Sequence, residues 1–207
     1  TLGFYLLEHH NPATMGTLNA AGKFQAAFFQ SVTTRTAGFA SISQSGLTNG
    51  SKLLACLLMI VGGSPAGTAG GIKTTTVAVL LLTAISVLRG NKDTECYGRK
   101  ITFEIIRVGI TITLVTFVFW LFGVTVMTVI EPQQKVLDLM FEATSAMATV
   151  GLTVDLTPVL SDISHVVLML MMYIGRIGPM TMALIFSGHV DKKNQFRTLP
   201  EAKIMVG

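Results

Sequence analysis

Val108 to Ile130, VGITITLVTFVFWLFGVTVMTVI, carries no charged side chain. At ~1.5 Å per residue it is long enough to cross a ~30 Å hydrocarbon layer, so it predicts a membrane-crossing helix. It is internal and too long for the apolar core of a signal peptide. Two other apolar stretches are interrupted. Leu53 to Leu88 holds LLACLLMIVG and VAVLLLTAISVL on either side of GGSPAGTAGGIKTTT; as one straight helix it would be ~54 Å long, so it must break in the middle. Ile163 to Val190 likewise holds YIGRIGPMT between HVVLMLMM and MALIFSG. Non-helical backbone at membrane depth is tolerated only where it is buried in protein or lines an aqueous cavity, which points to a pore or transport path.

The pattern also repeats. With an offset of 113 residues, AAFFQSVTTRTAGFA lies over LMFEATSAMATVGLT without gaps, pairing Phe28 with Phe141, Thr36 with Thr149, Gly38 with Gly151 and Phe39 with Leu152. Further on, Gly62 meets Gly175, and GGSP meets GRIGP. Each copy reads as a leading helix, a short half-helix, a Thr-x-Gly turn and a trailing helix that breaks near the midplane. The first leading helix is only TLGFYLLE, and a chain opening at Thr1 in its last turns is expected to be part of something longer.

Composition agrees with a membrane class. Half of the 207 residues are hydrophobic, 13% are charged and the mean hydropathy is +0.62. Arg89, Lys92, Arg99 and Lys100 lie in one hydrophilic loop and Lys192, Lys193, Arg197 and Lys203 in the tail, which places both in the cytoplasm. The stretches around Glu8 to Lys23, Ser41 to Lys52 and Glu131 to Lys135 then face outside. The net charge of +4 is shared between these two loops and calls for no nucleic acid. Cys56 and Cys96 are read as free thiols. The four histidines have no metal-ligand spacing, Met169, Met171 and Met172 read as packing, and Glu142 reads as the dipole-complementing start of a half-helix. No nucleophile and base stand together, so an enzyme reading has nothing to attach to.

The half-helices, about Gly22 to Arg35 and Lys135 to Ala148, are too short to span and are placed as re-entrant helices aimed inward. Their carbonyl ends favour a cation. The following turns, Thr36, Ala37, Gly38 and Phe39, then Thr149, Val150, Gly151 and Leu152, have backbone carbonyls to offer in place of an ion's water shell. A glycine capping a helix end is the plainer alternative for each turn. In the break, five of the ten residues 62 to 71 are glycine and one is Pro65, so a continuous helix is not expected. A phosphate loop fails there, because Ile72 stands where the motif ending at Lys73 and Thr74 needs glycine. Arg176 lies about 20 Å into its helix from Asp162, past the bilayer centre; it faces either a cavity or a buried acidic partner from another segment.

FFQSVTTRTAGF, GGSPAGTAGGIKTTT, FEATSAMATVGLT and YIGRIGPMT together resemble the C-terminal half of the membrane subunit of the Trk/Ktr/HKT potassium-uptake superfamily. FRTLPEAKIMVG is most similar to the Ktr branch. The resemblance implies an all-α membrane protein of four M1-P-M2 units with potassium-channel-like, pseudo-fourfold symmetry. Residues 1–90 would be the end and remainder of the third pore repeat, 91–188 the fourth, and 189–207 a cytoplasmic tail. Potassium is expected at the eight filter residues named above. Gly62, Gly63, Ser64, Pro65, Ala66, Gly67, Thr68, Ala69, Gly70 and Gly71 are implied to form an intramembrane gate loop, and Arg176 an electrostatic barrier below the filter. Single filter glycines go with potassium in this superfamily, and serine in the first repeat with sodium. The resemblance further implies a homodimer of full-length subunits, a cytoplasmic RCK-type ring of nucleotide-binding subunits, and no transition metal. A sodium or other monovalent cation transporter, a proton- or metal-coupled carrier and a membrane scaffold are the competing readings.

Overall fold

The computed structural model describes residues 1–64, 69–91 and 93–178. Seven α-helices follow one another among them: α1 (Leu2–Glu8), α2 (Ala20–Thr33), α3 (Asn49–Ile60), α4 (Thr74–Leu88), α5 (Phe103–Ile130), α6 (Val136–Met147) and α7 (Asp162–Ile177). The described fold is therefore mostly helical. One addition to the all-helical expectation is a hairpin in the hydrophilic loop, β1 (Glu95–Cys96) against β2 (Arg99–Lys100). Its turn residues Tyr97 and Gly98 both have positive φ, 48° and 73°, which matches the twist of a two-residue hairpin.

Helix starts follow side-chain chemistry. Asn19 accepts from Gly22 N at 2.8 Å to begin α2, and Thr48 Oγ1 accepts from Ser51 N at 3.3 Å to begin α3. The 28 residues of α5 are long and apolar enough to cross a membrane. Its threonines do not spoil this, because Thr113, Thr116, Thr125 and Thr128 each donate to the carbonyl four residues back at 2.7 to 2.9 Å. No hydroxyl is left unpaired toward lipid there. Small residues let neighbours approach: a Cβ at Gly123 would collide with Met171 of α7, and one at Gly109 would touch Thr76 and Leu80 of α4.

The core centres on α6. Its residues 141–147 are all buried, and it packs against α3, α5 and α7. Phe141, Ala143, Met147 and Leu139 meet Ala55, Met59, Met127, Leu168 and Met171 in one apolar cluster. By contrast α2 buries Ala26, Ala27, Gln30 and Thr33 while Phe24, Phe28, Phe29 and Val32 stay exposed.

The repeat has a structural counterpart. Trailing helices α3 and α7 begin at Asn49 and Asp162, 113 residues apart. Each is tied at its first turn by a carboxylate from the end of its leading helix. Glu8, fully buried, accepts from Thr48 N at 2.9 Å and Thr48 Oγ1 at 2.7 Å. Glu131 accepts from Ser161 N at 2.8 Å and Ser164 Oγ at 2.9 Å. Orphan amides of a helix start are thus satisfied by an anion where the helix dipole favours one. Glu8 and Lys52, at the ends of two of the polar stretches expected to face outside, are buried within the protein; Lys52 Nζ sits 2.6 Å from Asp138 Oδ1 and joins α3 to α6.

Candidate functional site

Both half-helices end in the same backbone signature. After α2, φ is positive at Thr36 (65°) and Gly38 (77°); after α6 it is positive at Thr149 (54°) and Gly151 (90°). Ala37 and Val150 between them keep the ordinary hand. Thr149 closes α6: its N–H donates to Ala146 O at 3.1 Å and the Val150 N–H reaches back to Ser145 O at 2.9 Å. That is a helix-capping pattern with threonine in the left-handed position, so capping is complete before Gly151 is reached. A β-branched residue there is a strained one, the kind of outlier that functional sites retain. The glycine therefore answers a second requirement.

That requirement is closeness. The two turns lie against each other: a Cβ placed on Gly38 would collide with the Val150 carbonyl oxygen and stand 3.7 Å from Gly151 Cα. Only glycine permits this approach. Side chains brace the turns from behind. Thr33 Oγ1 donates to the Phe39 carbonyl at 2.5 Å, and Gln30 Nε2 donates to Gln44 Oε1 at 2.6 Å. In the second copy Glu142 accepts from Thr153 Oγ1 at 2.5 Å, Val154 N at 3.0 Å and Thr157 Oγ1 at 2.8 Å. This corrects the reading of Glu142 as the start of a half-helix: α6 begins at Val136 with Asp138 in its first turn, and Glu142 holds the segment 153–157 beyond the turn. Ser45 Oγ donates to Asp155 Oδ2 at 2.7 Å, linking the two copies. At the 113 offset Gln30 faces Ala143 and Thr33 faces Ala146, so the repeat pattern offered no signal for these braces.

The break between α3 and α4 is present, and its ends are joined. Val61 and Ile72 form a parallel bridge, with Gly62 N to Ile72 O and Ile72 N to Ile60 O both at 2.9 Å. Parallel pairing means that the intervening chain leaves and returns, so α4 sets off in the direction in which α3 arrived. Gly62, Gly63, Ser64, Ala69, Gly70 and Gly71 are described; Pro65, Ala66, Gly67 and Thr68 lie outside the described residues. Gly70 N donates to Thr149 Oγ1 at 3.0 Å, and Lys73 Nζ to Ala69 O at 2.5 Å. The loop therefore touches the second turn directly.

Helix α7 stops at Gly178, whose φ is 89°, within the YIGRIGPMT break; the tail 189–207 lies outside the described residues. Arg176, exposed on its last turn, lines one cavity of about 510 Å³ together with Thr149, Val150, Gly151 and Leu152. Glu142, Thr153 and Thr157 border the same cavity. The Leu152 side chain is buried, whereas Phe39 is 73% exposed. The structure thus brings together the two turns, the near limb of the loop and the arginine, although they are far apart in sequence.

Residues 2–197 match the family model TrkH, described as a cation transport protein. The chain is 37% identical over 206 residues to "Ktr system potassium uptake protein B" of Bacillus subtilis (strain 168), covering 100% of this chain and 45% of that protein. It is 37% identical over 187 residues to the protein of the same name from Vibrio alginolyticus, covering 90% and 41%. Against "Potassium/sodium uptake protein NtpJ" of Enterococcus hirae the identity is 34% over 206 residues, covering 98% and 46%. The chain spans less than half the length of each of these relatives. It belongs to the TrkH family of cation transport proteins, as a membrane subunit of the Trk/Ktr type.

Proposed function

We propose that this chain supplies two of four M1-P-M2 repeats of a subunit for potassium uptake across the cell membrane. Residues 1–90 are the third repeat, 91–188 the fourth, and 189–207 a cytoplasmic tail. The observation that carries this reading is the pair of turns with one φ pattern, each at the carbonyl end of a half-helix and in contact at Gly38 and Gly151. Carbonyls of Thr36, Ala37, Gly38 and Phe39, with those of Thr149, Val150, Gly151 and Leu152, then replace the hydration shell of a potassium ion. The exposed apolar face of α2 suits packing against the rest of the ring.

The loop 62–71 gates the pore below the filter, and Arg176 sets an electrostatic barrier there. Full-length subunits pair as a homodimer and meet a cytoplasmic RCK-type ring of nucleotide-binding subunits, with the basic loop around Arg89 to Lys100 and the tail on that side. The deciding experiment is flux in proteoliposomes holding the full-length protein, with potassium, rubidium, sodium and protons compared. Potassium and rubidium uptake supports the reading, and a scaffold would move none of the four. The printed name of the Enterococcus relative favours sodium as the second ion to test. Deleting residues 63–70 is expected to raise flux and Arg176→Gln to change uptake rate or affinity; unchanged kinetics in both would remove loop and arginine from the pathway.

A further inference from the structure

The hydroxyl of Thr149 faces away from the role given to its carbonyl. Its Oγ1 accepts the Gly70 N–H at 3.0 Å across 79 residues of sequence. Gly70 is buried and fits because it lacks a side chain: a Cβ there would stand 2.8 Å from Thr149 Oγ1 and 2.9 Å from Ala148 O. Further along, this limb is fixed to the end of α3 through the Val61–Ile72 bridge. Thr149 itself is held in the left-handed region at φ 54°, a conformation that a threonine keeps only where its surroundings enforce it. One strained residue thus has a peptide carbonyl in the filter turn and a side chain on the loop.

We propose that Thr149 is a positioning residue that latches the loop under the turn, so that ion occupancy of the filter and release of the loop are a single coupled equilibrium. This rests on the reading of turn and loop as filter and gate. For the loop to move away, the Gly70 amide must give up its acceptor. An ion at the Thr149 carbonyl stabilises the strained conformation and hence the latch. By reciprocity, release of the loop weakens the ion. A neutral hydrogen bond of this kind corresponds to about a two- to tenfold change in such an equilibrium.

The test uses the full-length protein on a cysteine-free background carrying Ala69→Cys, reconstituted in vesicles. Flux and the rate of thiol labelling are read in potassium and in choline. In the parent, potassium is expected to slow labelling. Thr149→Val, which keeps shape and removes the acceptor, should raise labelling and potassium flux about two- to tenfold and abolish the potassium effect on labelling. Thr149→Ser keeps the acceptor and should bring the labelling rate and its response to potassium back toward the parent's. Gly70→Ala breaks the same contact from the other side, and combining it with Thr149→Val should add nothing further. Labelling that is the same in parent, Val and Ser variants overturns the latch. Absence of potassium flux in the parent, with labelling still responding to Thr149→Val, overturns the pore reading and leaves the latch standing.

Discussion

Glu142→Ala tests how the second turn is held. The carboxylate is 4% exposed and accepts three bonds, from Thr153 Oγ1, Val154 N and Thr157 Oγ1. After truncation the two hydroxyls rotate to other acceptors. The Val154 amide does not, and an orphaned buried donor costs about 1–3 kcal/mol. Loss of the two hydroxyl contacts adds about 1 kcal/mol each. The expected loss is about 3–5 kcal/mol, on the order of a hundredfold to a few thousandfold in the equilibrium that keeps residues 153–157 in place. Gln at this position keeps one carbonyl oxygen for Val154 and offers an amide to a threonine hydroxyl, so Glu142→Gln should lose less than half as much. Thermal unfolding of the detergent-solubilised full-length protein reads the stability, and the potassium-to-sodium uptake ratio reads the turn. A Glu142→Ala protein with the parent's melting temperature and ratio would refute the view that this carboxylate braces the turn.

Three further predictions follow from local geometry. Gly38→Ala should be more damaging than Gly151→Ala in stability and uptake. Both place a side chain at positive φ, at about 1–2 kcal/mol, but only the methyl at 38 meets the Val150 oxygen, while the one at 151 has its nearest neighbour at 4.0 Å. Lys52→Met should destabilise by about 3 kcal/mol, because it strands Asp138 on a largely buried face; Lys52→Met with Asp138→Leu should recover much of that loss in the same melting assay. Glu131, held below its ordinary value of 4.5 by the Ser161 hydroxyl, the Ser161 amide and the Ser164 hydroxyl, contributes stability that is present above the unfolded carboxylate pKa and is lost as pH falls through the folded one. Amide protection at the start of α7, taken relative to the intrinsic exchange rate at each pH, should therefore fall on acidification below about 4.5 in the parent and stay level there in Glu131→Gln.

The helices were legible because their causes are local. Uncharged length marks α5, the repeated Thr-x-Gly locates the ends of α2 and α6, and glycine with proline marks the gap after α3. The braces were not legible. Gln30 with Gln44, Lys52 with Asp138, and Glu142 with Thr157 are partners from different segments, and a polar residue beside an apolar run looks like a loop or a helix start until tertiary packing brings its partner to it. Glu142 shows this most clearly: a carboxylate early in a short helix suggests a dipole role, and only the return of residues 153–157 makes it an acceptor. Arg176 stood out in the sequence because a charge within an apolar run is costly whatever surrounds it.

The side-by-side pairing of Val61 with Ile72 ties the two ends of the 62–71 segment together at a neck. That neck carries the helix-to-helix connection, so residues added or removed inside the noose leave α3 and α4 in register. The neck, and not the span between its ends, therefore fixes where α4 starts relative to α3.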